Sequence, residues 1–209
     1  PRHNAKTNRG ITSGRRYEYY TDTEHDVIAE ARKVYGAYAQ HVFITEGIGD
    51  IGVNEIRATV EKHKRITGNT PIVVIDYLQI IAPYNERATD KQNTDKAVLE
   101  LKRISRDYKT PVIGVSSLNR ASYDEPISMA AFKESGAIEY SADVLIGLQL
   151  EGVGVSGFDV DAAKEKEPRK IELKILKNRN GPTGETVAFE YYPKFNYFVT
   201  PGTRGAGQR

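Results

Sequence analysis

The clearest strand signal in the chain is Pro71-Ile-Val-Val-Ile-Asp-Tyr-Leu-Gln-Ile-Ile-Ala-Pro83. Ile72 to Asp76 consists of four aliphatic residues closed by a carboxylate, and Gly68-Asn69-Thr70-Pro71 forms a turn signal in front of it. Such a run is typical of a short strand buried on both faces, as in a parallel sheet covered by helices. We therefore expect an α/β fold organised around this strand.

Asp76 is the residue of this segment that could take part in ligand or metal binding. A carboxylate at the carboxyl end of a buried parallel strand lies where open α/β sheets bind their ligands. There it can hold a metal-bound water beside a nucleotide phosphate, as the acidic residue of P-loop enzymes does. The alternative is that Asp76 only caps the loop after the strand, because many α/β proteins share this pattern.

The composition restricts the classes of protein to consider. A chain of 209 residues suits one domain, and a formal net charge of +2 is too small to indicate nucleic-acid binding unless basic residues cluster locally. The absence of cysteine excludes a disulfide framework and a thiolate metal site. There is no apolar run of membrane-spanning length and no signal-peptide pattern. We expect a cytoplasmic protein with no membrane partner.

Two helices and a short strand are predicted ahead of the central strand. Thr21-Asp-Thr-Glu24 has the spacing of a capping box and should open the first helix. Val42 to Thr45 reads as a short strand. The second helix should end at Gly68, since glycine commonly caps the C-terminus of a helix.

A third helix and a second buried strand are predicted after the central strand. Asn93 or Thr94 can cap this helix, which should stop before Pro111. Its inward positions are Ala97, Val98, Leu101, Ile104 and Tyr108. Pro111 to Ser117 then reads as another buried strand. The alternation of strands and helices predicts a mostly parallel sheet flanked by helices.

Polar residues occupy the C-terminal end of this second strand, in the run Ser116-Ser-Leu-Asn-Arg120. If the two buried strands are neighbours, these side chains lie beside Asp76. Hydroxyl and amide groups at that edge can bind a phosphate or respond to its presence. They can equally be the start of an ordinary polar loop.

Phe132-Lys-Glu-Ser-Gly-Ala-Ile-Glu-Tyr-Ser-Ala-Asp143 is a polar segment that leads into the predicted strand Val144 to Leu150. Its lysine, serine and glycine can offer a cation and backbone amides to phosphates. As an isolated pattern this segment has low specificity.

An antiparallel hairpin is predicted near the end of the chain. Lys170 to Lys177 alternates like a strand, Asn178 to Gly184 is rich in turn residues, and Glu185 to Tyr191 returns as the partner strand. Lys177 and Arg179 are then expected to project from the hairpin end. They are either solvated turn charges or cations presented to something outside the domain.

Four of these segments resemble, in order and spacing, the motifs of DnaB-type replicative helicases. Residues 72–79 look like the second nucleotide motif, and residues 111–120 resemble the following strand and sensor segment. Residues 132–143 are similar to the DNA-facing loop, and residues 177–184 resemble the arginine-finger hairpin. Each motif is moderately specific, and four in register are a strong signature.

The resemblance implies the C-terminal RecA-like ATPase domain of such a helicase. It implies a ring of six subunits that hydrolyses ATP with Mg²⁺ at subunit interfaces. This ring would unwind duplex DNA while translocating on single-stranded DNA. A helicase loader and a primase are the further candidate partners.

The resemblance also implies roles for individual residues. Asp76 would hold Mg²⁺ through water, Arg179 would be the arginine finger with Lys177 as its companion, and Ser117 and Asn119 would sense the nucleotide. Four consecutive residues would line the central channel and contact the single-stranded backbone largely without reading bases: Lys133, Glu134, Ser135 and Gly136.

The sequence departs from the family pattern at three points. It contains neither the G-x-x-x-x-G-K-[ST] loop nor the strand with the water-activating glutamate, which the family places upstream. Ser117 stands where the family usually has glutamine, and the shorter hydroxyl side chain cannot span the same distance from the strand to the γ-phosphate. Lys133 replaces a usual arginine, which keeps the charge but loses bidentate phosphate geometry.

The chain is therefore either the C-terminal part of a longer helicase or part of a truncated relative. We expect the former, and we expect that this part alone does not hydrolyse ATP. We divide it into a basic polar connector at 1–20, a partial RecA-like motor domain at 21–198 and a disordered tail at 199–209.

Two other functions stay open. A recombinase-like or clock-type RecA ATPase shares the core strand, although the Asp-Tyr-Leu-Gln run and the Asn-Gly-Pro-Thr-Gly hairpin argue against it. A non-catalytic module that keeps ring or DNA contacts is suggested by the missing phosphate loop. ATP binding by the natural full-length protein would exclude such a module.

Overall fold

The computed structural model of the chain describes residues 3–4, 9–10, 20–47, 50–118, 123–132 and 136–201. It contains two compact units. The core unit comprises Glu46–Gly147 and Ile175–Glu185. The terminal unit comprises Leu148–Lys174 together with Pro1–Thr45 and Thr186–Arg209.

The described elements are, in chain order, β1 (His3–Asn4), β2 (Arg9–Gly10), α1 (Asp22–Ala39), α2 (Val53–Thr67), β3 (Val73–Ile75), α3 (Asp90–Tyr108), β4 (Val112–Gly114), α4 (Gly136–Ser141), β5 (Val144–Leu150), α5 (Val160–Glu165), β6 (Arg169–Asn178), β7 (Thr186–Tyr192) and β8 (Tyr197–Val199). Short 3₁₀ helices in the described part of the chain add Leu78–Ile80, Met129–Phe132 and Pro193–Phe195.

The helix ends are fixed by local hydrogen bonds. Thr21 and Glu24 form the predicted capping box of α1, and α2 ends at Gly68, whose φ of 75° suits glycine. The predicted start of α3 is wrong, because Thr89 with Gln92 forms a complete capping box about one turn earlier. Asn93 instead bonds Asn85, donating to its carbonyl and accepting from its N–H at 3.0 Å each.

A parallel pair of strands forms the centre of the core unit. β3 lies beside β4 with Val73 opposite Val112 and Ile75 opposite Gly114, which confirms that the two predicted strands are parallel neighbours. One face of this pair packs into a hydrophobic core with α2 and α3, whose buried members include Val60, Ile75, Leu101 and Ile104.

The other face of the parallel pair is uncovered. Ile72 and Val74 are 63% and 65% exposed, and Ile113 and Val115 are 53% and 47% exposed. The prediction of a strand buried on both faces is therefore wrong for the structure described. The aliphatic sequence is typical of a strand whose two faces are both covered, but only one face of β3 is packed.

The last four strands form a four-stranded sheet in the order β5-β6-β7-β8. β6 and β7 are antiparallel with Arg169 opposite Tyr191, and β7 and β8 are antiparallel with Tyr191 opposite Phe198. The predicted hairpin is thereby confirmed, as is the α/β fold class. Val42 to Thr45, predicted as a strand, has no regular structure.

The predicted connector at 1–20 and tail at 199–209 lie largely outside the described residues. Within the described part of the connector, β1 and β2 pair antiparallel, with His3 opposite Gly10. No helix in the described ranges combines the length and apolar character that crossing a membrane requires.

Candidate functional site

Asp76 is the first residue after β3, and its side chain is exposed. The backbone around it is fixed to β4, because the Val115 N–H donates to the Ile75 carbonyl at 2.9 Å and the Leu78 N–H donates to the Val115 carbonyl at 2.8 Å. The carboxylate therefore stands on a well-held strand end. It is free to accept hydrogen bonds from water or from a hydrated cation.

Among the described residues, Asp76 does not belong to a cluster of metal-binding side chains. Among the residues that the structure describes, no group of three or more His, Cys, Asp or Glu could hold a metal ion. A water-mediated role fits a lone carboxylate, because Mg²⁺ usually keeps several waters and is bound through one or two carboxylates plus substrate phosphates.

Gln79 connects the ends of the two parallel strands. Its Nε2 donates to Ser116 Oγ at 3.1 Å, and its Oε1 accepts from the Ser117 N–H at 3.4 Å. Ser117 is thereby fixed beside the loop that follows Asp76. Sequence reasoning gave Gln79 no role, although it lies within the strand signal. One signal could have pointed to it: Gln79 carries a side-chain amide three positions after Asp76, and the second buried strand was expected to end beside Asp76.

A cavity of about 490 Å³ opens beside this connection within the core unit. Gln79, Ser116 and Ser117 contribute polar groups from the strand ends, and Asp90 and Thr94 contribute others from the start of α3. Leu78, Ala97, Phe132 and Ile138 line the apolar part. Asp76 does not line the cavity, so the carboxylate and Ser117 face different surroundings.

The predicted DNA-contact segment leads into α4. Lys133, Glu134 and Ser135 lie outside the described residues, as does Asn119, and Gly136 is the first residue of α4. Asp95 of α3 holds the start of this helix, because its Oδ1 accepts from the Ala137 N–H at 3.1 Å. The position of α4 is therefore tied to α3.

Lys177 and Arg179 are both bound to the end of α4. Lys177 Nζ donates to the carbonyl of Glu139 at 2.6 Å and to that of Tyr140 at 3.3 Å. Arg179 Nη2 donates to the Tyr140 carbonyl at 3.0 Å. Carbonyls in the last turn of a helix have no partner within the helix and carry partial negative charge, so they are natural ligands for cations. The two cations are thus positioned together.

Asp143 completes this cluster, and sequence reasoning missed it. Its carboxylate forms ion pairs with Arg179, at 3.4 Å from Nη1, and with Lys102 of α3. The Lys102 hydrogen bond holds the pKa of Asp143 below its usual value, and the charges of Arg179 and Lys177 act in the same direction. The contact joins residues far apart in sequence, so no local pattern pointed to it.

The candidate residues form two separate sets. Asp76, Gln79 and Ser117 lie at the strand ends, whereas Lys177 and Arg179 lie at the end of α4. Within the described ranges, no hydrogen bond or ion pair joins Asp76 to either cation.

Comparison with known proteins gives one consistent family. The model of the DnaB-like helicase C-terminal domain matches residues 11–200. The replicative DNA helicase DnaC of Bacillus subtilis is 35% identical over 154 residues, covering 71% of this chain and 32% of that protein. DnaB of Geobacillus stearothermophilus is 33% identical over 156 residues, with the same two coverages. The chain thus spans about a third of these relatives' length.

Solved structures agree on the fold. One described as a DnaB-like replicative helicase and its interactions with primase has a TM-score of 0.71 at 25% identity, covering 90% of this chain and 44% of that one. A second, described as an ATPase domain, has a TM-score of 0.59 at 29% identity, covering 72% of this chain and 51% of that one. The RecA-like prediction is confirmed by these neighbours.

Proposed function

The chain belongs to the DnaB-like helicase C-terminal domain family, and from this premise we propose that it is the C-terminal part of an ATP-dependent replicative DNA helicase motor. The intact protein translocates on single-stranded DNA as a hexameric ring and unwinds duplex DNA in the cytoplasm. Its relatives are named replicative DNA helicases, which supports the activity of the intact protein.

One observation carries the proposal: the strand-end carboxylate and the hairpin cations do not meet within the chain. Asp76 is exposed at the end of β3, while Lys177 and Arg179 are held together on α4. A nucleotide needs a carboxylate beside its metal and cations on its phosphates. Two neighbouring chains of a ring can supply these groups to one nucleotide, each from a different side.

Asp76 serves the metal side of this shared site. Its exposed oxygens would hold Mg²⁺ through water, and the ion supplies charge neutralisation on the phosphates. Ser117 and Asn119 are assigned to sensing the nucleotide. The Gln79 bridge fixes the Ser117 backbone relative to the loop after Asp76, so a shift at one strand end reaches the other.

Arg179 serves the phosphate side as the arginine finger, with Lys177 beside it. The side chain of Arg179 is about half exposed, at 51%, so its guanidinium is accessible to a group from another subunit. Charge spreads over the phosphoryl oxygens in the transition state, and a finger of this kind contributes about 10³- to 10⁵-fold in other nucleotide hydrolases.

The segment before α4 serves the DNA. We assign Lys133, Glu134, Ser135 and Gly136 to contact with the single-stranded backbone, which a cationic and amide-rich segment can bind without sequence preference.

A helicase loader and a primase are the proposed protein partners. The primase assignment is supported by the similar solved structure, which is described as a DnaB-like replicative helicase and its interactions with primase.

The chain alone is proposed to be inactive in hydrolysis. Its sequence has no glycine loop to cradle the triphosphate, and one aliphatic face of the β3–β4 pair is uncovered. An aliphatic face of this kind normally packs against further elements of the same fold. A further segment of the intact helicase that supplies both features would restore the nucleotide site.

The test is ATP turnover by the natural full-length protein with Arg179→Ala. We expect kcat to fall by at least about 10³-fold because the transition-state charge loses its cation. Arg106→Ala is the matched control: its side chain is 74% exposed and pairs with the adjacent Asp107, so turnover should not change. Unchanged turnover in Arg179→Ala would refute the finger assignment.

A further inference from the structure

The side chain of Gln79 pairs with the chain after β4 in the way that a backbone peptide would. Just before it, the Leu78 N–H donates to the Val115 carbonyl at 2.8 Å. The Gln79 carboxamide continues this pairing, because its Nε2 donates to Ser116 Oγ at 3.1 Å and its Oε1 accepts from the Ser117 N–H at 3.4 Å. A carboxamide offers the same donor and acceptor groups as a peptide, so it extends the contact between the two strand ends.

Ser116 closes this contact around the backbone of Ser117. Its Oγ accepts from Gln79 and donates to the Ser117 carbonyl at 3.3 Å. Both backbone groups of Ser117 are therefore held by the Gln79 side chain, directly or through Ser116. The Ser117 hydroxyl, by contrast, makes no hydrogen bond to any described residue, and Ser117 is exposed and lines the cavity of about 490 Å³. The backbone is anchored, and the hydroxyl remains available to a ligand.

A serine depends on such an anchor more than a residue with a longer side chain does. Its oxygen is bonded to Cβ, so rotation about χ1 is the only side-chain adjustment available when the strand end is displaced. The place of the Ser117 hydroxyl is therefore set by the backbone. Gln79 is the side chain that holds this part of the backbone.

We propose that Gln79 is a positioning residue that acts through Ser117: its carboxamide fixes the strand end so that the Ser117 hydroxyl meets the nucleotide. The inference rests on the proposed function for the sensing role of Ser117. Gln79 itself does not contact the nucleotide, because both ends of its carboxamide are already engaged. Loss of the carboxamide should therefore lower turnover only through Ser117.

A double-mutant cycle of Gln79→Leu and Ser117→Ala tests this dependence, with ATP turnover by the natural full-length protein as the measurement. Leucine keeps much of the bulk of glutamine and removes both hydrogen bonds. With Ser117 present, Gln79→Leu should lower kcat/KM by about two- to tenfold, the fold-change that corresponds to one net hydrogen bond. Ser117→Ala should lower it by at least as much. In the Ser117→Ala background, Gln79→Leu should have no further effect.

Gln40→Leu is the matched control for the change of glutamine to leucine. Gln40 is also exposed, it is the C-cap residue of α1, and its side chain makes no hydrogen bond to a described residue. The kcat/KM of this variant should equal that of the wild type.

An equal loss from Gln79→Leu in the two backgrounds overturns the inference, because a residue that only stabilises the fold lowers turnover whether or not the Ser117 hydroxyl is present. Unchanged turnover in either single variant overturns it as well. If Gln79→Leu does not assemble, Ser116→Ala removes the acceptor of Nε2 and replaces it in the same cycle. Its loss should be smaller, and an additive result again overturns the inference.

The proposed function is judged separately by Arg179→Ala. Loss of turnover in that variant, together with an additive cycle at Gln79 and Ser117, removes the positioning role alone. Unchanged turnover in Arg179→Ala, together with a cycle in which Gln79→Leu acts only when Ser117 is present, removes the finger assignment and keeps the positioning role.

Discussion

Gly114→Ala tests the packing behind the strand-end site. A Cβ added to Gly114 would lie 2.9 Å from Leu78 Cδ2 and 3.3 Å from Leu78 Cγ. Leu78 is only 7% exposed and lies between Asp76 and Gln79 along the chain. The clashing atoms belong to the end of a side chain that is confined by its neighbours. We expect a loss of about 1–2 kcal/mol, within the usual range for overpacking.

Gly36→Ala is the matched control, because the same methyl group is added where nothing lies within 4 Å. Gly36 lies in the interior of α1, where alanine stabilises a helix by about 0.5–1 kcal/mol relative to glycine. One chemical change should therefore lower stability at Gly114 and raise it at Gly36. The loss at Gly114 comes from the contact with Leu78, and the gain at Gly36 comes from the higher helix propensity of alanine.

Urea unfolding of the 209-residue chain, followed by far-ultraviolet circular dichroism because the chain has no tryptophan, measures both effects. A change of about 1–2 kcal/mol corresponds to a midpoint shift on the order of 0.5–1 M. Hydrogen exchange of β4 and α1 peptides then locates each effect in its own unit. An unchanged or raised midpoint for Gly114→Ala would refute the close packing of Leu78 on β4.

Two further predictions concern the core and the charge cluster. Ile104→Ala should destabilise the chain by about 2–5 kcal/mol because Ile104 is 0% exposed, whereas Ile66→Ala, at a side chain 69% exposed, should leave the urea midpoint nearly unchanged. The pKa of Asp143 is lowered in the folded chain, mainly by the hydrogen bond from Lys102. The stability that the ionised carboxylate contributes is therefore fully present above the unfolded pKa of about 3.9 and is lost as the pH falls through the lower folded pKa. The midpoint difference between the wild type and Asp143→Asn should be larger at pH 7 than at pH 3, and equal differences would contradict this assignment.

Local patterns predicted much of the secondary structure. The capping box at Thr21, the glycine end of α2 at Gly68 and the hairpin after Lys177 were predictable because each depends on residues within a few positions of one another. The same local rule explains one error. At the start of α3, the side chains of Thr89 and Gln92 each accept a hydrogen bond from the other's backbone N–H. The sequence analysis instead favoured Asn93 or Thr94 as the cap.

The failed strand prediction at Val42 to Thr45 has a different cause. Val42, Phe43 and Ile44 are exposed and have no regular structure, so their apolar character did not place them in a sheet. The β3–β4 pair shows the same limit, since aliphatic residues point to both faces but only one face is packed. Hydrophobicity indicates which side chains favour burial, and the rest of the fold determines whether they are buried.

The order of residues along the chain was enough to establish the α/β class, the family resemblance and the location of Asp76 at a strand end. These follow from periodicity, turn chemistry and motif spacing, all of which act over short stretches. The Gln79 bridge to Ser116 and Ser117, and the binding of Lys177, Arg179 and Asp143 around α4, emerged only from the folded chain. The hydrogen bonds that Gln79 and Lys177 donate span 37 and 38 positions, and such contacts exist only once packing has brought separate elements within hydrogen-bond distance.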